Sequence, residues 1–518
     1  MVALRAMPST LRDLHVDTVI VGAGAAGAVL AARLSARSDH RVALLEAGVD
    51  HPDPARLPPD LRDGTRNSLH AHDWGYRHRV NSRQPLWFPL PRGRVVGGSS
   101  AVNTCIALRG VPSDYDEWAS RGLPEWSWEQ CLPAFKRLER DLDVADAWHG
   151  ADGPIPIRRH TREELVPWQA AFLDACAARG LPSARDANNP ASEGAAPHPM
   201  NKIDGERMGA ARCYLTAAVR ARDNLSIHAE TLVRRVCFDG RRATGVEAET
   251  AGVVWRVHAR RVVLCAGAIA TPGLLLRSGV GARATVDALG VQCVADVPAV
   301  GRRLLDHPGA AFFLWPKRGV CDVSHPLIQT GFRFQSKHGA HRNDLQVQPG
   351  SAVLLPQASL PLVSVMCHVG KPFGHGTITF PSADPRAAPV IRSSLLDDPR
   401  DRALAVEALS MAYAITQTSP MREMARVVWP PRSVVAKPAS LDGWVRYVCD
   451  SGYHPCGTVP MGADGDPEAA TDGRGRVRGT EGLLVADASL MPTVPTSNIH
   501  LPTLMIGERF GAWLFDER

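Results

Sequence analysis

The stretch VDTVIVGAGAAGAVLAARLSARSDHRVALLEAG, Val16 to Gly48, leaves this chain few folds to choose from. A short β-branched run ends at Gly22, an Ala- and Leu-rich segment with apolar residues at helical spacing follows, and after the polar turn Ser38 to His40 a second apolar run ends at Glu46. This order predicts a βαβ unit, whose strands lie parallel in a doubly wound α/β sheet. Within GAGAAG, Gly22 permits the tight turn out of the strand, Gly24 lets the backbone approach a pyrophosphate, and Gly27 lets the helix pack closely on the sheet. The helix amino terminus adds unpaired N–H groups and a partial positive charge for phosphates. Glu46, about 20 residues after Gly27, stands where a carboxylate accepts hydrogen bonds from both ribose hydroxyls. An adenine dinucleotide is the expected ligand, and the spacing alone does not separate NAD from FAD, which share the adenosine half.

Other classes are disfavoured by composition. The chain of 518 residues is 45% hydrophobic and 22% charged, which suits two or three globular domains. Eleven cysteines stand singly with no C-x-x-C, against both a disulfide framework and a zinc site, and no metal ligands are predicted. A net charge of +6 is small for this length, and the densest basic run, GRGRVRG from Gly473, reads as a solvated hairpin, so no nucleic-acid partner is expected. The amino-terminal MVALRAMPSTLRDLHVD lacks the apolar core of a signal peptide, and VVLCAGAIATPGLLL is too short to span a bilayer. A cytoplasmic protein without an integral membrane segment is expected.

Further along, Pro52 to Pro91 reads as an irregular excursion. NLSIHAETLVRRVCFDGRRATGVEAET reads as strands joined by a turn at Asp239-Gly240, and RRVVLCAGAIATPGLLLRSG as a buried strand running into a helix. From about Gly309 to Trp444 the pattern changes to strand-like pieces (VSVMCHVG, GTITFPS) and one helix through RDRALAVEALSMAYAITQ, a candidate second domain. PRGRVVGGSSAVN is a second glycine-rich segment: Gly97 and Gly98 allow backbone to lie against a flat ring or phosphate, and Ser99, Ser100 and Asn103 offer short polar side chains. GYHPCGTVPMG holds one titratable side chain, His454, in a segment whose glycines and prolines rule out a regular helix.

Taken in order, these motifs resemble the glucose-methanol-choline (GMC) flavoprotein oxidoreductases: GAGAAG with LLEAG, GRVVGGSSAVN, GAIATPGLLLRSGVG, VGRRLLDHP from Val300, GYHPCGTVPMG, and LLVADASLMPTVPTSNIHLPTLMIGER. The resemblance implies a Rossmann-like FAD-binding domain (15–155, 205–308 and 445–518) and a discontinuous α+β substrate-binding cap built on an antiparallel sheet (156–204 and 309–444). It places the FAD phosphates at Gly22, Gly24 and Gly27 with Ala25, and the adenosine ribose at Glu46 with Ala47. Val233 would meet adenine through its backbone, and Trp74 would lie along the adenine or the substrate entrance, or serve only as a hydrophobic anchor. The isoalloxazine would lie near Gly97, Gly98, Ser99 and Asn103, and Asp487 and Ala488 would meet the pyrophosphate and ribityl chain, with Asn498, His500 and Thr503 completing the site. Relatives that tether flavin covalently use a histidine where this chain has Val102, so FAD is expected to bind without a covalent bond.

The family's base corresponds to His454 and its second catalytic position to His500. Alcohol oxidation removes a proton from oxygen and a hydride from carbon; a neutral imidazole takes the proton, and flavin N5 takes the hydride. The two rings should not both be charged before substrate binds. LPTLMIGERFGAWL reads as a helix opening at Pro502 with its positive end toward the flavin. His307 in LLDHP and Cys456 are read as structural. The expected activity is oxidation of a primary alcohol to an aldehyde, with FAD reoxidised by oxygen or an artificial or quinone-type acceptor. The alternatives are a choline-type dehydrogenase or oxidase, or a non-oxidative member such as a hydroxynitrile lyase or photodecarboxylase.

Overall fold

A computed structural model of the chain describes residues 13–337, 339–355, 358–435 and 437–517. Most of the amino-terminal segment read above for signal-peptide content lies outside the described residues.

The predicted βαβ unit opens the fold. Strand Leu14–Val21 is buried from Thr18 onward, as a central strand must be, and pairs in parallel with Val42–Leu45 in the register Thr18 to Val42 through Val21 to Leu45. Between them, helix Ala25–Leu34 is buried around most of its circumference, because the C-terminal helix His500–Asp516 packs on the side away from the sheet. Small residues allow the close approach: a Cβ on Gly507 would lie 3.1 Å from Ala26 Cα.

Strand Val253–Leu264 joins two kinds of sheet. Its first part pairs antiparallel with Arg242–Thr250, which pairs antiparallel with Thr231–Asp239 across the predicted turn at Gly240. Its last residues pair in parallel with Leu14–Val21 on one side and Leu483–Val485 on the other. With Leu225–His228 beside Val42–Leu45, the parallel part runs to five strands, whose carboxyl ends open on the site described below.

A second, antiparallel sheet stands opposite. Its order is Ala425–Trp429, Pro308–Pro316, Val363–Val369, Leu345–Gly350, Thr330–Phe334 and Gly194–Pro197, and Asp450–Ser451 pairs with the start of Pro308–Pro316. Helices Pro399–Thr416 and Pro167–Ala178 cover one face, burying Phe312, Phe332, Val347, Val365, Trp168 and Leu409 in one core. The opposite face, through Ala311, Phe313, Gln348 and Met366, lines the cavity.

Three local expectations are corrected. The excursion between Pro52 and Pro91 contains two short strands, Arg77–Arg79 and Trp87–Pro89, paired antiparallel. GTITFPS does not join the large antiparallel sheet: Thr377–Thr379 pairs with Val390–Arg392, which pairs in parallel with Arg77–Arg79. Each of these strands is half of a local hairpin, but the two hairpins join through Ile391 beside His78 and Arg392 beside Arg79, a contact across some 300 residues that local pattern could not show. The C-terminal helix opens at His500, not Pro502, so the histidine itself occupies the first helical position.

All eleven cysteines are free. No helix among the described residues is long and apolar enough to cross a membrane. In the GRGRVRG turn Val477 is buried while Arg474 and Arg476 are exposed, Arg474 lying over Trp513 at 4.1 Å. Among the described residues one group has metal-ligand chemistry, Glu139, Asp141 and His149, and its carboxylates are already matched by Arg109 and Arg159.

Candidate active site

A cavity of about 1280 Å³ lies between the parallel sheet and the antiparallel one. This exceeds the roughly 300–1,000 Å³ of an ordinary small-molecule site. At the end built by the βαβ unit it is lined by Gly22, Gly24, Ala25, Glu46 and Ala47, with Trp74 and Val233 as walls. Its middle is lined by Gly98, Ser99, Asp487 and Ala488, and its far end by Asn103, His454, Asn498, His500 and Thr503. Of the residues singled out from sequence, Gly27 and Gly97 do not reach the cavity. Gly27 sits behind the loop, where a Cβ would stand 1.9 Å from the Gly22 carbonyl oxygen, and Gly97, at φ +106°, donates its N–H to the Ala23 carbonyl at 2.7 Å.

The two glycine-rich segments therefore touch each other: a Cβ on Gly98 would lie 2.8 Å from Gly24 Cα. Glu46 ties this junction together, its carboxylate accepting from the N–H groups of Ala23 at 2.9 Å and Gly48 at 2.8 Å. Burial pushes its pKa up to about 7 against those bonds. Asp487 accepts from the Gly267 N–H and the Thr271 hydroxyl through one oxygen and from Ser489 through the other, which pins the start of helix Gly267–Leu276 to the end of strand Leu483–Val485. Trp74 stacks on Tyr76 with ring centroids 5.8 Å apart, and the Arg94 guanidinium lies over its ring at 5.0 Å.

At the far end four histidines converge. His454 Nδ1 is 2.9 Å from His307 Nδ1, and His454 Nε2 is 2.9 Å from Asn498 Nδ2. His500 Nδ1 is 3.1 Å from Asn103 Nδ2, and His368 lines the same wall. Asp306 staples the two chain segments, one carboxylate oxygen accepting the N–H groups of both His307 (2.8 Å) and His454 (2.9 Å), the other the Ser451 hydroxyl. Burial lowers the pKa of His307, His368 and His500 to about 4 and that of His454 well below its usual value, with His307 and His368 adding to the effect on His454. The rings are neutral together at pH 7, in accord with the expectation that they are not both charged.

The orientation of Asn103 settles the state of His500. Asn103 Oδ1 accepts from the Cys105 N–H at 3.0 Å, so Nδ2 is the atom facing His500 and it can only donate. His500 Nδ1 is thus the acceptor, its proton is on Nε2, and that buried N–H has no partner in the protein.

The family model described as GMC oxidoreductase matches residues 16–309, and a second part under the same description matches 372–507. The chain belongs to the GMC oxidoreductase family. It is 36% identical to the 5-(hydroxymethyl)furfural oxidase of Methylovorus sp. (strain MP688), over 96% of this chain and 98% of that one. It is 33% identical to the oxygen-dependent choline dehydrogenase of Photobacterium profundum, over 95% and 92%. Among solved structures, pyridoxine 4-oxidase from Mesorbium loti superposes with a TM-score of 0.89 at 31% identity, covering 97% of this chain and all of that one. The GMC fold of a Rossmann-like domain with a cap is thereby established, and so are an enzyme acting on CH–OH groups, its FAD cofactor and a small-molecule alcohol as substrate. The cavity fits that cofactor: backbone at Gly24 lies open toward it, with no protein atom nearer than 4.0 Å to a Cβ built there.

Sequence reasoning missed several residues of this GMC oxidoreductase site. His307, expected to be structural, bonds the ring of His454. Arg207 is fully buried and donates to the backbone carbonyls of Asp60, Leu61, Asp63, Arg66, Ala101 and Asn103, fastening the excursion to the second glycine-rich segment. Lys371 donates to the Val494 carbonyl at 3.0 Å and pairs with Asp114, whose other oxygen accepts from the Thr496 N–H, so this pair holds the loop that carries Pro495 and Asn498. The LLDHP motif signalled His307; nothing local signalled Arg207 or Lys371.

Proposed function

We propose that this enzyme oxidises a primary alcohol to an aldehyde, with His454 as general base and His500 as hydrogen-bond donor to the alkoxide. One observation carries this: the unpartnered Nε2–H of buried His500 opens on the same cavity end as Nε2 of His454, the ring nitrogen turned away from His307 and facing the Asn498 amide. A donor and an acceptor side by side suit an alcohol oxygen that loses its proton and gathers negative charge. Bound FAD supplies the hydride acceptor. The phosphates would be held at Gly22, Gly24 and Ala25, the ribose at Glu46 and Ala47, adenine between Val233 and Trp74, and the ring beside Gly98, Ser99 and Asn103. Residues 15–155, 205–308 and 445–518 would form the FAD-binding domain, and 156–204 and 309–444 the cap.

The cavity wall favours an uncharged aromatic alcohol: Phe88, Phe313, Ile328 and Met366 are apolar, and Gln348 and Ser364 are polar without charge. The furfural oxidase relative supports the same class. A second reading, a cationic alcohol of the choline type, is favoured by the Asp450 carboxylate beside Tyr453 in the same wall and by the choline dehydrogenase relative. Neither finding favours a lyase or decarboxylase.

Val102, buried against Leu61 and Val95, offers no nucleophile, and FAD is held without a covalent bond through it; acid precipitation should release the flavin into the supernatant. Oxygen is the proposed acceptor because the relatives above are oxidases or oxygen-dependent, with a quinone-type acceptor as the alternative. The eleven free thiols support a cytoplasmic location. The test is anaerobic mixing with benzylic, furanic, aliphatic and choline-type alcohols, followed by admission of air or of an artificial acceptor. Loss of the yellow absorbance with a primary alcohol is expected, and no loss with any alcohol overturns the proposal.

A further inference from the structure

The hydrogen bonds behind His454 form a chain whose far end is fixed. His307 Nε2 lies 2.9 Å from the Pro495 carbonyl oxygen, which can only accept, so His307 Nε2 carries a hydrogen. His307 is buried and its pKa is lowered to about 4, first by burial and then by His368, so the ring is neutral and holds one N–H only. Its Nδ1 is therefore a bare acceptor. The atom facing that acceptor at 2.9 Å is His454 Nδ1, which must donate. A neutral His454 with its hydrogen on Nδ1 has a single lone pair on Nε2; the Asn498 amide lies against it at 2.9 Å and must yield it when an alcohol hydroxyl donates there.

From this chain we propose that His307 is a positioning residue that holds the proton of His454 on Nδ1, so that Nε2 meets the alcohol as an acceptor. The proposal rests on His454 being the base. With the hydrogen on Nε2 instead, His454 would present a donor to a hydroxyl that must lose its proton, and both histidines of the site would be donors. In the reaction the O–H bond breaks, an N–H bond forms at His454 Nε2, and the carbon-bound hydride leaves to FAD. The positive charge on His454 is then shared through Nδ1–H with His307, whose own Nε2–H stays on the Pro495 carbonyl. The groups facing the pair are His368, Arg92 and His500 toward His454, and His368 and Asp114 toward His307. Arg92 is the one cation among them at rest, His368 and His500 being neutral, so the resting pair is kept neutral first by its burial.

The geometry is built for this contact. The two rings meet edge to face at 74° with centroids 5.0 Å apart. A Cβ on Gly452 would lie 3.0 Å from the His307 carbonyl oxygen and 3.2 Å from His454 Nδ1. The Gly452 N–H donates to that same carbonyl at 2.7 Å, and the paired segments Leu305 and Cys456 exchange both backbone hydrogen bonds.

The test is nitrogen-15 NMR of histidine-labelled holoenzyme, with the two residues assigned from His307→Phe and His454→Gln variants. A pyrrole-type Nδ1 and pyridine-type Nε2 are expected for His454, with the reverse for His307; a protonated Nε2 on His454 in the wild type overturns the proposal. In parallel, His307→Ala holoenzyme should reduce its flavin about 10²- to 10⁴-fold more slowly at saturating alcohol, the range a mispresented base forfeits, with the apparent substrate Kd little changed and the rate partly restored by added imidazole. A His307→Ala enzyme that loses FAD or Tm but, once loaded, reacts at the wild-type rate means a packing role only and also overturns it. The base itself is judged separately: a retained rate in His454→Ala refutes the base, whereas a lost rate there with an Nε2–H tautomer in the wild type refutes only the part given to His307.

Discussion

Replacing Gly24 and Gly27 one at a time by Ala separates binding from packing within six residues of sequence. At Gly27 the added Cβ would stand 1.9 Å from the Gly22 carbonyl oxygen and 3.2 Å from Cys265 Cβ, so the helix must retreat from the strand by roughly 1 Å or more. Such overpacking costs about 1–3 kcal/mol, and the cost falls on the apoprotein. At Gly24 the backbone is at φ −71°, open to any residue, and the nearest protein atom to the new Cβ is 4.0 Å away. The apoprotein should tolerate Gly24→Ala within about 0.5 kcal/mol. The methyl group would meet the pyrophosphate instead; the same 1–3 kcal/mol, now charged to binding, weakens FAD affinity about 5- to 150-fold. Thermal unfolding of each apoprotein and titration with FAD by quenching of flavin fluorescence measure the two quantities. Gly24→Ala with an apoprotein as unstable as Gly27→Ala and an unaltered FAD affinity would refute this division of roles.

Three further outcomes are expected. His454→Ala should keep its yellow colour while flavin reduction by alcohol slows about 10²- to 10⁴-fold in stopped flow; a rate within a few-fold of wild type removes His454 from the chemistry. Arg207→Met strips the donor from six carbonyls, one buried and five part-buried, and should cost at least about 3 kcal/mol, read as a lower Tm with loss of FAD, and an unchanged Tm would show that water replaces the guanidinium. Acid should destabilise the apoprotein early. His307, His368 and His500 titrate near pH 4 when folded and near 6.5 when unfolded, so the unfolded chain binds protons first as pH falls. Stability is full above about pH 6.5 and is lost toward pH 4, each histidine adding up to about 1.4 kcal/mol per pH unit. Urea midpoints that stay level from pH 7 to pH 5 would contradict burial of these rings in the neutral form.

What the sequence made legible is what chain neighbours impose on each other. The βαβ unit was readable because Gly22, Gly24 and Gly27 answer to the turn and helix they belong to, and the strand-to-helix passage at Leu264 to Gly267 for the same reason. Arg207 was not, because its partners lie more than 100 residues earlier and an isolated arginine carries no local sign that carbonyls will surround it. His307 shows the boundary between the two cases. Its motif marked the place, but its role depends on a ring 147 positions away and on the Pro495 carbonyl 188 away.

The loop around His454 shows why local irregularity and distant contact belong together. Glycine and proline in GYHPCG signalled only that no helix forms. In the structure Tyr453 is held at φ +64°, a conformation that a tyrosine adopts at a cost, by the bond from its N–H to the Ser451 hydroxyl at 2.8 Å. Gly452 beside it leaves just the clearance that His307 and His454 need to meet. Asp306 accepts the His454 N–H and the Ser451 hydroxyl from beneath, so a shift of one segment against the other would break two bonds at once. The irregular backbone lets His454 turn one nitrogen onto the buried His307 ring and the other onto the cavity, much as His500 does from the first turn of its helix with Asn103. A substitution such as Gly452→Ala, whose Cβ would lie 3.2 Å from His454 Nδ1, should disturb the base.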